Sequence, residues 1–147
     1  MIAAIDPGKS GAIALLYTDG TLYIEDIPIF GKEINGSAVA NIFKEFRPDH
    51  LYTESLNSFG MGRQSAFNFG MGYGILLGVL ATLEIPYTRV SPARWKKDLG
   101  LGKDKDLSRS MATRLYPKNA EQFKRKKDDG RAEAALIAHW ARGKNNE

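Results

Sequence analysis

Cysteine is absent from the 147 residues. Disulfide staples, thiolate metal sites and thiol nucleophiles are thereby excluded, and any metal must be held by oxygen or imidazole. The absence suits a reducing compartment, and a cytoplasmic protein is the expectation. Also missing are a charged leader before "MIAAID" and any uninterrupted apolar run near the roughly 20 residues that span a bilayer, so no membrane is expected as a partner. No repeat, low-complexity segment or linker divides the chain. Its length suits one domain over residues 1–147, with one core expected.

Basic charge is scarce in the first part of the chain and abundant in the rest. Residues 1–88 hold five Lys/Arg against nine Asp/Glu, whereas residues 89–147 hold sixteen against eight. The net charge of +4 is therefore the sum of an acidic N-terminal part and a strongly basic C-terminal part. Such a basic part fits a polyanion, most simply nucleic acid, because phosphate neutralisation with counterion release supplies much of DNA affinity. A solvated basic face is the plainer alternative.

The apolar runs "MIAAID" and "GAIALLYT", then "DG" before "TLYIEDI", predict an antiparallel three-strand meander. "SAVANIFKEF" predicts a helix capped by Ser37, and "HLYTES" a strand returning parallel to the first. "RQSAFNFGMGYGILLGVLATLE" is helical in period, "PYTRVS" is a short strand, and "PARWKKDL", "KDLSRSMATRLY" and "DGRAEAALIAHWARG" read as helices. "YPKNAEQFKRKK" reads as a mobile basic connector. This order of strands and helices gives an α/β fold on a mixed sheet. Gly70, Gly74 and Gly78 share one helix face, with tight packing on the sheet expected ahead of a dimer contact.

Asp6 and Glu54 each end an apolar strand, and neighbouring strands in register bring the two carboxylates together. Like charges that close repel unless a cation lies between them. Hard divalent ions with oxygen ligands, Mg²⁺ or Mn²⁺, answer that need. A third acidic site lies in "KDDGRAEAALIAHW". Asp129 and Glu133, four apart, share a helix face, whereas Asp128 and Glu133 diverge. Asp129 therefore has the better claim, and Asp128 the better claim to capping the helix.

With "IAAIDPGKSGAIAL", "LYTESL", "SAFNFGMGYG" and "DGRAEAALIAHWA" in this order, nearly the whole chain resembles the RuvC family of Holliday-junction resolvases, and its compactness resembles phage-encoded members. The resemblance implies a ribonuclease H-like mixed five-stranded sheet flanked by helices. It further implies a homodimer that uses Mg²⁺, with Mn²⁺ as substitute and two ions per site, to nick a four-way DNA junction symmetrically. Asp6, Glu54 and Glu133 match family acids. The remaining family acid falls at Gly130, so Asp129 is the substitute implied. Lys96 and Lys105 resemble the two lysines near the scissile phosphate, with Lys97 and Lys103 as competitors. Phe59, later than the usual spacing, resembles the aromatic that enters the junction centre, with Met61 and Arg63 beside it. Arg109, Lys124, Arg125, Lys126 and Lys127 are further DNA-binding candidates. Two rivals remain: a ribonuclease H-type enzyme acting on RNA–DNA hybrids or other branched DNA, and a junction-binding protein without catalysis. No nucleotide cofactor is expected, since a sugar-kinase-like reading of the first turn lacks a second lobe.

Overall fold

The computed structural model describes residues 1–146. Strands β1 (Ile2–Asp6), β2 (Ala12–Leu16) and β3 (Leu22–Asp26) form the antiparallel meander. A short hairpin, β4 (Ile29–Phe30) and β5 (Glu33–Ile34), precedes helix α1 (Gly36–Phe46). Strand β6 (His50–Glu54) returns parallel to β1, helix α2 (Arg63–Thr82) crosses over, and β7 (Tyr87–Val90) runs parallel to β6. Helices α3 (Pro92–Asp98), α4 (Lys105–Leu115) and α5 (Asp129–Asn145) complete the chain. The sheet order is β3-β2-β1-β6-β7, the mixed five-stranded sheet expected.

Alternation along the strands divides the apolar residues between two faces, so the one core expected is two. Ala4, Ala12 and Ala14 face α5 together with Trp95, Leu136 and Ile137. Ala3, Ile5, Ile13 and Leu15 face α1 and α2 through Val39, Phe43, Leu76 and Leu80. Alanines on both the strands and α5 let that helix lie close to the sheet centre.

Three local expectations are corrected. Asn35, not Ser37, caps α1: its Oδ1 accepts the Ala38 N–H at 3.1 Å, because the helix begins at Gly36, two residues earlier than a Ser37 cap requires. The basic connector is folded, as two 3₁₀ turns at Pro117–Phe123 and Lys126–Asp128. Phe123 is buried there, and the Asn119 and Gln122 side-chain amides donate to the Leu22 and Ile24 carbonyls on the β3 edge. The Gly70, Gly74 and Gly78 face does not pack on the sheet, since a Cβ at any of them would meet nothing within 4 Å. Leu76 and Leu80 face the sheet instead, and the row of glycines lies round the helix from them. Gly72 is the close approach, with Ile34 Cδ1 3.0 Å from where its Cβ would stand. Although α2 has the length and hydropathy of a spanning helix, its buried leucines lie on the sheet.

Candidate active site

Strand register brings Asp6 and Glu54 to one level. Ile5 lies opposite Thr53, and the acids are the next residue along each strand. After Asp6 the chain turns back sharply, and the absent side chain at Gly11 leaves room for the Asp6 carbonyl. The start of α5 is wedged against the same turn. A Cβ on Gly130 would stand 2.5 Å from the Ser10 carbonyl oxygen and 3.1 Å from Asp6 Oδ2. An acid at position 130 therefore has no room, which gives the departure from the family spacing a physical cause.

One turn further along, Glu133 reaches the strand ends. Carboxylate oxygens of Asp6, Glu54 and Glu133 lie within 4.8 Å of one another, with Glu54 and Glu133 buried. Burial, then the charges of Glu133, Glu54 and Asp129, push the Asp6 carboxyl well above the usual range, against the opposing pull of Lys105. Burial also pushes Glu54 up, while its hydrogen bond from Trp95 pulls it down. Such a cluster is destabilised as it stands, and a bound divalent cation would relieve it. Its donors are all carboxylate oxygens, which fits Mg²⁺ or Mn²⁺.

Asp129 lies outside this group of three. Its Oδ2 accepts from Lys105 Nζ at 2.8 Å, on the more exposed side of the cluster. Lys96 Nζ lies 3.3 Å from Glu133 Oε1. Both lysines singled out by the resemblance thus touch site acids, whereas Lys97 and Lys103 enter none of the ion pairs of the described residues. Asp128 occupies the α5 cap position without capping the helix. Its buried carboxylate turns back to accept the Arg125 backbone N–H at 2.8 Å and to pair with the Arg125 and Arg131 guanidinium groups.

Around the rim, Phe59 is 95% exposed and does not fold back onto the core. Arg63, Lys124, Lys126 and Lys127 are exposed, and Met61 is partly so. Arg109 differs from the expectation of a DNA contact. Its guanidinium turns inward to donate to the Phe123 and Lys124 carbonyls, because it ties α4 to the following 3₁₀ turn. Arg125 is partly engaged by Asp128.

Two site residues escaped the sequence reading. Fully buried Trp95 donates its Nε1–H to Glu54 Oε1 at 3.0 Å, and Tyr73 Oη donates to the Glu54 backbone carbonyl at 2.8 Å. Trp95 and Lys96, consecutive on α3, serve different carboxylates. The "WK" pair was the signal available, but only the fold shows that both residues reach the acids.

No family model matches the chain. A relative in Chlamydomonas reinhardtii, "Holliday junction resolvase MOC1, chloroplastic", is 38% identical over 86 residues. That match covers 57% of this chain and 10% of the relative, so the chain matches only about a tenth of that protein's length. Thermus thermophilus RuvC in complex with a Holliday junction substrate superposes with a TM-score of 0.71 at 17% identity, covering 99% of this chain and 94% of that one. Another Thermus thermophilus RuvC structure gives 0.71 at 18%, covering 99% and 95%. The yeast mitochondrial Holliday junction resolvase Ydc2 gives 0.54 at 17%, covering 95% and 76%. The chain has the RuvC-like fold.

Proposed function

We propose that this chain is a metal-dependent endodeoxyribonuclease that resolves four-way DNA junctions by paired, symmetric nicks. The convergence of Asp6, Glu54 and Glu133 within 4.8 Å carries the reading. Three like charges, two at a rigid sheet end and one on the helix packed against it, are costly unless a cation is to be held there. The likeness to a junction resolvase over 86 residues and to RuvC in fold supports the choice of substrate.

Asp6, Glu54 and Glu133 would hold Mg²⁺ or Mn²⁺, with Asp129 as a further acid at the rim. When bound, such ions polarise phosphate oxygens and make water a stronger nucleophile at neutral pH. Lys96 and Lys105 stand beside the acids to neutralise charge developing on non-bridging phosphate oxygens. Phe59 offers a face to an unpaired base, a stacking contact of about 1–3 kcal/mol. The products are nicks with 5′-phosphate and 3′-hydroxyl ends.

Two symmetric cuts need two sites, and thus a homodimer. The exposed α2 face of Phe67, Gly70, Met71, Gly74 and Gly78 supports one, since its small residues allow a second helix to approach closely.

Labelled four-way junction, replication fork, linear duplex and RNA–DNA hybrid are incubated with the protein, with and without Mg²⁺. Metal-dependent cutting of the junction is expected, with Asp6→Asn abolishing cleavage and preserving binding. Undiminished cleavage by that variant would sink the assignment, and preferential cutting of the hybrid would move it to a ribonuclease H activity. Sedimentation of the junction-bound protein as a monomer that still makes simultaneous paired cuts would remove the dimer.

A further inference from the structure

Residues 1–88 are acidic in sum and contain five basic residues. Two of them, Lys9 and Lys32, line one hollow of about 270 Å³ between the β4–β5 hairpin and the first turns of α2. Lys9 also lines a second hollow of about 350 Å³ between the β1–β2 turn and the start of α5, where Lys127 stands. Lys9 is thus the wall shared by two adjoining depressions. The acids of the second hollow are already neutralised: Asp26 pairs with Arg131 at 2.7 Å and Asp128 with Arg125 at 2.9 Å. Lys9, Lys32 and Lys127 are exposed and enter none of the ion pairs of the described residues. Glu33 is the one acid facing the first hollow, against two lysines.

We infer that Lys32, Lys9 and Lys127 form a continuous basic track beside the carboxylates that seats the sugar–phosphate backbone of a DNA strand. The inference rests on the nuclease reading for the identity of the polyanion as DNA. Lys9 comes three residues after Asp6, and its turn abuts Gly130 beside the Asp6 carboxylate, so a strand on the track passes the site. The hollows are open and rimmed by point charges, as a contact made to phosphates requires. In the first hollow Gln64 Nε2 donates to Asn68 Oδ1 at 3.1 Å. That orientation leaves the Asn68 amide N–H groups to donate to a phosphate oxygen. Lys9 and Lys32 stand apart from the basic C-terminal part of the chain, so the track joins two regions that the charge count separates.

Binding of a labelled four-way junction to the non-cutting Asp6→Asn chain is followed by anisotropy between 50 and 200 mM salt. Lys9→Ala, Lys32→Ala and the double substitution are compared with Lys44→Ala on α1 and Lys118→Ala near the 3₁₀ turn, all in the same background. Each track lysine removed should lower the slope of log affinity against log salt by about 0.9, equivalent to about a threefold smaller gain in affinity across that range. The double substitution should lower it by about twice as much, and the controls should leave it unchanged. All four lysines are exposed, and melting curves establish that each variant is folded. Slopes equal to the parent's, or a loss no larger than that of the controls, overturn the track. Cleavage by the chain with Asp6 intact is assayed separately. Falling slopes without cleavage keep the track and discard the nuclease, whereas cleavage with unchanged slopes discards the track alone.

Discussion

The indole of Trp95, fully buried, points its Nε1–H at Glu54 Oε1 over 3.0 Å, fixing one oxygen of a carboxylate whose neighbours are other carboxylates. A neutral donor holds the group without consuming its charge, and leaves the second oxygen for a cation. The adjacent Lys96 lies 5.3 Å from the centre of the same indole ring and reaches Glu133. One short helix thereby orients two of the three clustered acids.

Trp95→Phe keeps most of the ring volume and deletes this donor. Hydrogen bonds to charged groups are worth about 1.5–3 kcal/mol, so folding stability should fall by about that much at neutral pH. Calorimetric titration with Mn²⁺ should show several-fold weaker binding, because Glu54 loses its orientation and the influence that lowers its pKa. Unchanged Mn²⁺ affinity in a folded variant would leave Trp95 as core filling only.

The raised carboxyls of Asp6 and Glu54 set a pH dependence for the metal-free protein. Above their ordinary values, near pH 4, and below the raised ones, the folded chain binds more protons than the unfolded chain. Stability from these groups is therefore present below that window and falls as pH rises through it. Asp6→Asn removes part of the penalty. The metal-free variant should melt above the metal-free parent at pH 7, with the gap closing below about pH 4. Mg²⁺ should raise the melting temperature of the parent far more than that of the variant. Scanning fluorimetry from about pH 3 to 8, with chelator or Mg²⁺, reads both effects, and a variant melting below the parent at pH 7 would contradict them.

Legibility followed the length scale of the interaction. Alternating apolar runs and the Asp19–Gly20 turn carry their own geometry, so the meander and the parallel return were predictable, and with them the meeting of Asp6 and Glu54. Helical spacing pointed to Glu133 in the same way. Trp95 was illegible because a buried aromatic at helical spacing reads as core; its role depends on a strand 41 residues away. The row at Gly70, Gly74 and Gly78 was misread because spacing defines a face without saying what covers it. The 3₁₀ turns at Pro117–Phe123 were missed because amide bonds to the β3 edge, not hydrophobic periodicity, hold that segment.

Asp128 and Asp129 make a paired test of the remaining acid. Asp128 is buried against Arg125 and Arg131, and the Arg125 side of the pair is half exposed. Asp128→Asn should thus cost about 1–3 kcal/mol in stability and leave cleavage by the folded fraction largely intact. Asp129→Asn, which breaks a pair with an exposed lysine, should be nearly neutral for stability. It should lower cleavage by about 10- to 100-fold, the range typical of residues that support metal ligands. Urea denaturation and single-turnover cleavage measure the two effects, and reversed outcomes would make Asp128 the site acid.

Two glycine substitutions should go in opposite directions. Gly74 lies in the interior of α2, where an added Cβ meets nothing, so Gly74→Ala should gain about 1 kcal/mol from helix propensity in the monomer. The same added methyl should weaken self-association in sedimentation if the α2 face joins two copies. Gly130→Ala would press its Cβ into the Ser10 carbonyl at 2.5 Å and towards Asp6 Oδ2 at 3.1 Å. Both neighbours are held by the tight turn after Asp6, so neither yields cheaply. Forcing an extra carbon into a packed site costs about 1–3 kcal/mol, more than the propensity gain at a helix start, and it displaces the Asp6 carboxylate. Gly130→Ala should therefore both lower stability and reduce Mg²⁺-dependent cleavage, and Gly130→Asp, although it restores the family spacing, should do worse. Equal stability gains at the two glycines in urea denaturation would show that α5 does not press on the Asp6 turn, and the absence of an acid at position 130 would need another cause.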